Sequence, residues 1–380
     1  MKTNIPERIA ALREAMRQQK VDAYIIPSSD PHLSEYPADR WKSREWISGF
    51  TGSAGTIVVT ADKAGLWTDS RYFLQAASQL EGSGIELYKL ALPETPSITE
   101  FLLHELHAGQ AVGLDGQTYS AAEASALANK LSRKEIKLDT SADLIGGIWK
   151  DRPAVPGNPI FEMPEALSGA SVHEKLDLIN NQLRSEGADC LILAALDEIA
   201  WTFNIRGTDV TYNPVVVSYA FVSEDESVLF IKPEKLTAEI TEHLKKEGVT
   251  LAEYSMIQRY LSRLPENSRV FVDMNKTNVS LYDAIPGNCT IVEGISPANH
   301  LKSIKNETEI KGFQNAVVKD GVALTKFYIW LEKQMAEGTQ VTEISAAEKL
   351  TALRAEQPQY IMDSFGTICG YAEAYQGLTR

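Results

Sequence analysis

The 380-residue sequence predicts an α/β protein with two similar domains in tandem and the start of a third. Three observations lead to this fold class. A chain of this length is expected to form more than one domain, because roughly 100–200 residues make up one domain. Amphipathic helical patterns alternate with short apolar runs that are typical of buried strands. The helix-then-strand pattern found near the N-terminus also begins again near residue 172.

The first domain is predicted to open with a helix that leads into a strand. Ile9, Leu12 and Met16 recur at helical spacing, and the apolar run 21–26 ends at Pro27. Later apolar runs predict strands at 56–60, 65–68 and 112–114, and the periodic segments predict helices near 73–80 and 121–131. The proline-rich segment 151–164 is the best candidate for a linker.

An internal repeat relates the first two domains. Residues 22–26 align with residues 189–193, and residues 46–52 align with residues 201–207. The spacing from the aligned aspartate to the aligned tryptophan is 24 residues in the first copy and 12 in the second, so the first copy holds an insertion containing PHLSEYPADRWK. We expect a surface loop there, which is a natural place for function.

In the second copy, the helical face of residues 172–183 leads into a strand at 188–193. Two more strands are predicted at 214–222 and 228–231. From residue 304 the pattern changes to a long amphipathic helix that Gly338 ends, followed by a helix capped by Thr342 and a strand at 360–368. The predicted domains are residues 1–155, 156–300 and 301–380.

The composition excludes several classes of protein. With 37 basic and 51 acidic residues, the formal net charge of −14 makes nucleic acid and anionic membranes poor partners. No apolar run approaches the roughly 20 residues that span a bilayer. The three cysteines form no CxxC pair and are expected to be reduced, buried thiols. We therefore expect a soluble cytoplasmic protein.

Few residues point to chemistry on local evidence. His104 and His107 are three residues apart, not the four of a zinc-protease helix, so a solvated helix end is the better explanation and no metal site is predicted. Arg71 follows Asp69, and helix capping with a local ion pair explains both. Glu35 could receive a ligand cation or could face water, and the sequence leaves both alternatives open.

A series of longer strings carries more information than these single residues. The strings are DAYIIPS (22–28), SEY (34–36), SGFTGSAGT (48–56), WTDSRYFLQA (67–76), LDEIAW (196–201), NIRGTDV (204–210), NPV (213–215), KDGVAL (319–324), WLE (330–332) and VTEISAA (341–347). Together, and in this order, they resemble the large three-domain form of aminopeptidase P, the Xaa-Pro aminopeptidase family. The resemblance extends over nearly the whole chain.

This resemblance implies two creatinase N-terminal-like domains, each with a ribonuclease H-like mixed sheet and flanking helices, followed by the first helices of a pita-bread α+β catalytic domain. It also implies an enzyme that releases an N-terminal residue preceding proline. In that family, two divalent ions, usually manganese, carry out the amide hydrolysis. The expected partner is a peptide with proline at its second position, and a homodimer is one assembly that the sequence allows.

The end of the sequence departs from the family pattern. The family's metal ligands are two aspartates, a histidine and two glutamates, and the resemblance places all of them beyond residue 380. After residues 364–368, a substrate-positioning His-Tyr pair is replaced by CGYAEAYQGLTR. The expectation is therefore a truncated or frameshifted product, with residues from about Ala372 foreign to the family, no metal bound and no activity of its own.

Two substrate contacts can be assigned through the resemblance. Glu35 matches a carboxylate that helps to receive the N-terminal ammonium of the substrate, and Arg71 matches an arginine near the same cleft. No catalytic or metal-binding residue of the family can be assigned. The alternative is a non-catalytic peptide-binding module of aminopeptidase-like fold, as in a histone chaperone, whose acidic net charge would suit basic partners.

Overall fold

The computed structural model describes residues 4–370. Its α-helices are α1 (Ile5–Gln19), α2 (Ser43–Ser48), α3 (Phe73–Gln79), α4 (Ile98–Glu105), α5 (Ala121–Ser132), α6 (Leu144–Ile148), α7 (Glu165–Ser168), α8 (Val172–Glu186), α9 (Leu196–Thr202), α10 (Ala238–Lys246), α11 (Ile257–Leu261), α12 (Val279–Tyr282), α13 (Pro297–Ser303), α14 (Glu307–Ala336) and α15 (Glu343–Ala355). Its β-strands are β1 (Ala23–Ile26), β2 (Thr56–Thr60), β3 (Ala64–Thr68), β4 (Glu86–Lys89), β5 (Ala111–Leu114), β6 (Lys137–Asp139), β7 (Phe161–Glu162), β8 (Cys190–Leu193), β9 (Ile205–Arg206), β10 (Tyr219–Ser223), β11 (Ser227–Phe230), β12 (Val249–Ala252), β13 (Arg269–Val272) and β14 (Thr290–Glu293).

Most of the strands form two six-stranded mixed sheets with the same topology. The first sheet has the order β4-β3-β2-β1-β5-β6, and the second has the order β12-β11-β10-β8-β13-β14. In both sheets the first strand of the copy pairs antiparallel with one neighbour and parallel with the other. The predicted α/β fold and its internal repeat are therefore confirmed.

Each sheet is buried on both faces. In β1, Tyr24 and Ile26 pack into one core with α1, whereas Ala23 and Ile25 pack into the opposite core with α4 and α5. Alternation along a strand sends successive side chains to opposite faces, which explains why β1 consists entirely of buried residues. The second sheet is covered in the same way by two cores.

The repeat extends to an interaction between a cation and a tryptophan. In the first copy, Arg8 of α1 donates a hydrogen bond to the carbonyl oxygen of Trp46, and its guanidinium lies 4.3 Å from the centre of the Trp46 ring. In the second copy, Lys175 of α8 donates to the carbonyl oxygen of Trp201 at 2.9 Å and lies 4.7 Å from that ring centre. The first helix of each copy is thereby tied to the helix that follows the first strand.

The insertion in the first copy, residues 31–42, is the predicted surface loop only in part: Glu35 and Asp39 are exposed, but His32 and Trp41 are buried. His32 is buried between the two domains, where Nδ1 lies 2.9 Å from the carbonyl oxygen of Ala194 and Nε2 lies 2.9 Å from the hydroxyl of Tyr254. Its ring lies 4.4 Å from that of Tyr219. The insertion is therefore an inter-domain wedge, and both buried ring nitrogens of His32 have partners in the second domain.

Backbone contacts also join the two domains beside this wedge. Ser120 and Asn278 form an antiparallel bridge, and Ala121 donates to the carbonyl oxygen of Thr277 at 2.9 Å. The Asn278 side chain reaches back to the carbonyl oxygen of Pro31 at 2.7 Å. These bonds fix the orientation of the first domain on the second.

The prediction of a strand at 214–222 is wrong in its first part. The strand β10 begins only at Tyr219, and residues 214–218 form no ladder. The backbone N–H of Val217 donates instead to the Asp209 carboxylate at 2.8 Å, while Pro214 has no N–H to donate. A side-chain acceptor and a proline therefore keep this buried segment out of the sheet.

The third region consists of α14 and α15, and both predicted helices are confirmed. Asn306 caps α14 and Thr342 caps α15, each through a capping box, and Gly338 has φ 70° after the end of α14. The predicted strand at 360–368 is absent from the described part of the chain. These residues pair with no described strand, and Phe365 and Ile368 are exposed. A strand without a partner is not stable in water.

The predicted burial of the cysteines is correct at one position only. Cys190 is buried, and burial raises the pKa of its thiol to about 12. Cys289 is partly exposed and Cys369 is exposed; all three thiols are free. The residues from about Ala372, predicted to be foreign to the family, lie outside the described residues.

Candidate functional site

A cavity of ≈ 250 Å³ lies where the inter-domain wedge meets the second domain. The wedge contributes Glu35 and two aromatic residues, the segment after α2 contributes small residues, and the second domain closes one side. The lining includes Glu35, Tyr36, Trp41, Lys42, Arg44, Glu45, Thr51, Gly52, Ser53, Thr211 and Tyr212. A neighbouring cavity of ≈ 650 Å³ shares Pro27, Ser28, Glu35 and Ser53 with it, so the two cavities adjoin at these residues.

Glu35 is the predicted substrate contact, and it lies in the wall of both cavities. Its side chain is exposed, and no hydrogen-bond or ion-pair partner for its carboxylate is found among residues 4–370. A carboxylate that stabilises the fold would have such partners. This carboxylate is therefore available to a ligand.

Two tyrosines stand beside that carboxylate. The rings of Tyr36 and Tyr212 meet edge to face, with centroids 6.0 Å apart, and both rings line the smaller cavity. Burial and then the charge of Glu35 raise the pKa of Tyr36, so its hydroxyl stays neutral at physiological pH. A carboxylate flanked by aromatic faces suits a cation such as an ammonium group.

Arg44 supports the wall of the cavity from below. It is 7% exposed, and its guanidinium donates to the Ser28 hydroxyl at 2.9 Å and to the carbonyl oxygens of Phe50 at 2.6 Å and of Gly52. Burial lowers its pKa to about 10, so it remains charged at neutral pH. These bonds hold the segment that forms the cavity floor.

Gly52 is required at this position by packing. A Cβ built on Gly52 would lie 2.3 Å from the ring of Phe50 and 2.7 Å from that of Tyr72. The hydroxyl of Tyr72 in turn lies 2.6 Å from that of Ser53 in the cavity wall. The glycine-rich segment therefore brings aromatic rings against the cavity floor.

Arg71, the second predicted contact, lies behind this wall. Its guanidinium forms two hydrogen bonds of 2.8 Å with the Asp69 carboxylate and lies 5.1 Å from the ring centre of Tyr72. Asp69 also caps the short 3-10 helix that follows it. No hydrogen bond or ion pair joins Arg71 to Glu35 in the described chain. The pKa of Arg71 is raised chiefly by its hydrogen bonds to Asp69, and the charge of Glu35 makes the smallest contribution. The structure thus places both residues in one region without bringing them into contact.

Sequence reasoning did not identify Arg44, Tyr36 and Tyr212 as site residues. Arg44 left no signal, because it stands among the polar residues of α2 and only the structure shows that it is buried. Tyr212 left none, because it belongs to the second domain and comes to the cavity only through the tertiary fold.

As possible metal ligands, residues 4–370 offer no suitable set. Within residues 4–370, no group of three or more His, Cys, Asp and Glu side chains is arranged to bind a metal ion. The His104 ring lies at the surface and pairs with Glu105 at 2.9 Å. Among the helices described, none has the length and the apolar character needed to cross a bilayer.

Two segments of the chain match one kind of known domain. Models of the creatinase/prolidase N-terminal domain match residues 8–145 and residues 151–309. The chain belongs to the creatinase/prolidase N-terminal domain family. Both halves of the internal repeat are therefore domains of this kind, as the resemblance implied.

Several aminopeptidases P match nearly the whole chain. A probable Xaa-Pro aminopeptidase P of Laccaria bicolor is 39% identical over 97% of this chain and 58% of its own length. Aminopeptidase P2 of Arabidopsis thaliana is 36% identical over 97% of this chain and 57% of its own length. The chain thus spans somewhat more than half the length of these relatives, and the predicted resemblance to aminopeptidase P is confirmed.

A solved structure shows the same arrangement. The X-prolyl aminopeptidase of Caenorhabditis elegans, described as a cytosolic enzyme with a di-nuclear active site, matches with a TM-score of 0.90 and 30% identity. The match covers 96% of this chain and 62% of that chain. The creatinase N-terminal domains of our chain therefore have the same relative placement as in that enzyme.

Proposed function

We propose that this chain forms the substrate-receiving part of an Xaa-Pro aminopeptidase, which releases an N-terminal residue that precedes proline. The observation that carries the proposal is the exposed, unpaired carboxylate of Glu35 at a cavity lined by both domains. The sequence identity of 36–39% to aminopeptidases P over nearly the whole chain supports this proposal.

The chemistry of the cavity suits a free peptide N-terminus. The Glu35 carboxylate would accept hydrogen bonds from the ammonium group, and such charge-assisted bonds are roughly twice as strong as neutral ones. Tyr36 and Tyr212 would present aromatic surface to the first side chain. Arg71 is proposed to influence the site electrostatically without lining the cavity, because its charge interacts with that of Glu35.

The proposed activity requires metal ions. By similarity to the di-nuclear enzyme of C. elegans, we propose two divalent cations, with manganese as the preferred metal. The donor set within residues 4–370 does not fit such a pair, so its ligands would have to come from outside these residues. The described residues supply substrate contacts, and we propose the cytoplasm as the location and 1–155, 156–300 and 301–380 as the domains.

Calorimetric titration of the 380-residue chain with the peptide Ala-Pro-Ala, in the presence of a chelator, tests the role of Glu35. We expect N-acetyl-Ala-Pro-Ala to bind about tenfold more weakly, because acetylation removes the ammonium charge. Glu35→Gln should weaken the binding of Ala-Pro-Ala by a similar factor and remove the preference for a free N-terminus. Glu81→Gln, a change at an exposed glutamate outside the cavity, is the matched control.

Equal binding of the free and acetylated peptides would contradict the proposal. Binding of Ala-Ala-Ala as tight as that of Ala-Pro-Ala would contradict the preference for proline. Tight binding of basic peptides without any dependence on the free N-terminus would favour the alternative, a non-catalytic peptide-binding module.

A further inference from the structure

A separate cavity of ≈ 430 Å³, here called the helix-junction cavity, lies between the second domain and the start of α14. Apolar surface from Trp201, Pro214 and Phe313 forms part of its lining. The charged residues around it are four cationic and two acidic: Lys175, Arg206, Lys302, Lys305, Asp197 and Glu309. The lining is therefore positive, although the whole chain carries a formal net charge of −14.

Lys175 contributes charge to this cavity and uses two of its three N–H donors within the protein. It is 1% exposed, and its ammonium donates to the carbonyl oxygen of Trp201 at 2.9 Å and to Oδ1 of Asn204 at 2.6 Å. Burial lowers its pKa to about 8, so the charge is largely retained at neutral pH. It forms no ion pair within the described chain.

Arg206 uses only one of its three guanidinium nitrogens in hydrogen bonds to described residues. Its Nη1 donates to the carbonyl oxygens of Ala200 at 2.6 Å and of Ile205 at 2.9 Å. Its Nε and Nη2 have no acceptor among the described residues, and it forms no ion pair with any of them. These two nitrogens form one edge of the guanidinium, and that edge matches the two oxygens of a carboxylate. Arg206 is thus a partly buried cation with an unused bidentate face.

Both carboxylates in the lining of the cavity are already engaged. Glu309 accepts from the backbone N–H of Asn306 at 2.9 Å in the capping box of α14 and from Nε1 of Trp201 at 3.3 Å. Its charge acts on both Lys175 and Arg206. Asp197 is paired with Lys302. The positive charge in the cavity is therefore only partly compensated.

We propose that the helix-junction cavity binds a small ligand with an apolar body and a carboxylate, which Arg206 holds through Nε and Nη2. The apolar body would lie against Trp201 and Phe313. In the first copy of the repeat, the position of Arg206 is occupied by Thr51. The binding group is therefore specific to the second copy, and the site is independent of the peptide cavity at Glu35.

Calorimetric titration of the full 380-residue chain with N-acetyl-leucine tests this site. The matched probe is N-acetyl-leucinamide, which has nearly the same shape but no charge. We expect the acid to bind and the amide to bind about tenfold more weakly or not at all. Arg206→Lys keeps the charge but removes the bidentate edge and should weaken binding of the acid about tenfold.

A second variant keeps the test decisive if Arg206→Lys fails to fold. Glu309→Gln retains the capping acceptor and removes the opposing charge, so the acid should bind about threefold more tightly. Lys42→Met removes a cation from the other cavity and should leave binding unchanged. Absent binding of the acid by the wild type, equal binding of acid and amide, or loss of binding in Lys42→Met would overturn the proposal.

Discussion

The two copies of the repeat share a scaffold and differ in what is attached to it. Both have the same six-stranded sheet order, and both tie a cation on the first helix to a tryptophan. The first copy adds the wedge of residues 31–42, which carries Glu35 to a cavity at the second domain. The second copy lacks this insertion and has Arg206 where the first has Thr51. The proposed binding groups therefore lie where the two copies differ, and the features that both copies share stabilise the fold.

One shared feature shows how strictly the scaffold is repeated. Gly49 after α2 has φ 72°, and Asn204, which aligns with it, has φ 50°. The left-handed region is accessible to glycine and to a lesser extent to asparagine. The side chain of Asn204 makes use of this position, because it accepts from Lys175 and donates to the carbonyl oxygen of Ala170.

The largest effect is expected where the copies meet. His32→Ala would leave the carbonyl oxygen of Ala194 and the hydroxyl of Tyr254 without their partner and would leave a cavity beside Tyr219. We expect the free energy of unfolding to fall by about 4 kcal/mol. Denaturant unfolding measures this, with His104→Ala at the surface as the control. A loss below about 1 kcal/mol would show that the wedge does not hold the domains together.

A buried carboxyl group distinguishes the second copy. Glu198 of α9 is 2% exposed, whereas the aligned residue in the first copy is Ser43. Burial, with the neighbouring charges of Asp197 and Asp273, raises the pKa of Glu198 from 4.5 to about 7, against the opposing charge of Lys302. The folded protein therefore binds more protons than the unfolded chain between these pH values, so its stability falls as pH rises through this range.

Glu198→Gln should remove this pH dependence. At about 1.4 kcal/mol per pKa unit, the stability of the wild type relative to the variant should fall by on the order of 3 kcal/mol between pH 4.5 and pH 8. Chemical unfolding across this pH range gives the measurement. Glu239→Gln, at an exposed position in the same copy, should show little change in slope. Parallel pH profiles for the wild type and Glu198→Gln would contradict the raised pKa.

The smallest effect is expected at the ion pair of Arg71 in the first copy. Arg71→Met breaks the bonds to Asp69, and because the side chain of Arg71 is 63% exposed the loss of stability should be less than about 1 kcal/mol. Lys42→Met, which breaks another exposed pair, is the control. Titration of both variants with Ala-Pro-Ala should show a smaller loss of affinity than Glu35→Gln. A loss of more than about 2 kcal/mol in stability would assign Arg71 a structural role.

Much of the fold could be predicted from the sequence because its signals are local. Helical spacing predicted α1, α8 and α14, and the capping position of Thr342 predicted the start of α15. The repeat was visible because both copies keep an aspartate before an apolar first strand, and a tryptophan and a glycine six residues apart after it. Glu35 could be proposed as a site residue only through the resemblance to aminopeptidase P.

The remaining features depend on contacts between distant parts of the chain. The hydrogen-bond partners of His32 lie 162 and 222 residues away, so the burial of the wedge has no local signal. Tyr212 likewise reaches the cavity only through tertiary contacts, so its place there has no local signal either. The strand predicted at 360–368 is the opposite case, because the local apolar pattern is present but the structure is not. A strand forms only with a partner strand, and a local pattern carries no information about that partner.

A crystal structure of the 380-residue chain with bound Ala-Pro-Ala tests the central claim most directly. We predict that the peptide ammonium lies about 3 Å from the carboxylate of Glu35, with the first side chain between Tyr36 and Tyr212. A peptide bound with its ammonium elsewhere, or with Glu35 turned to solvent, would contradict the proposed role of this cavity.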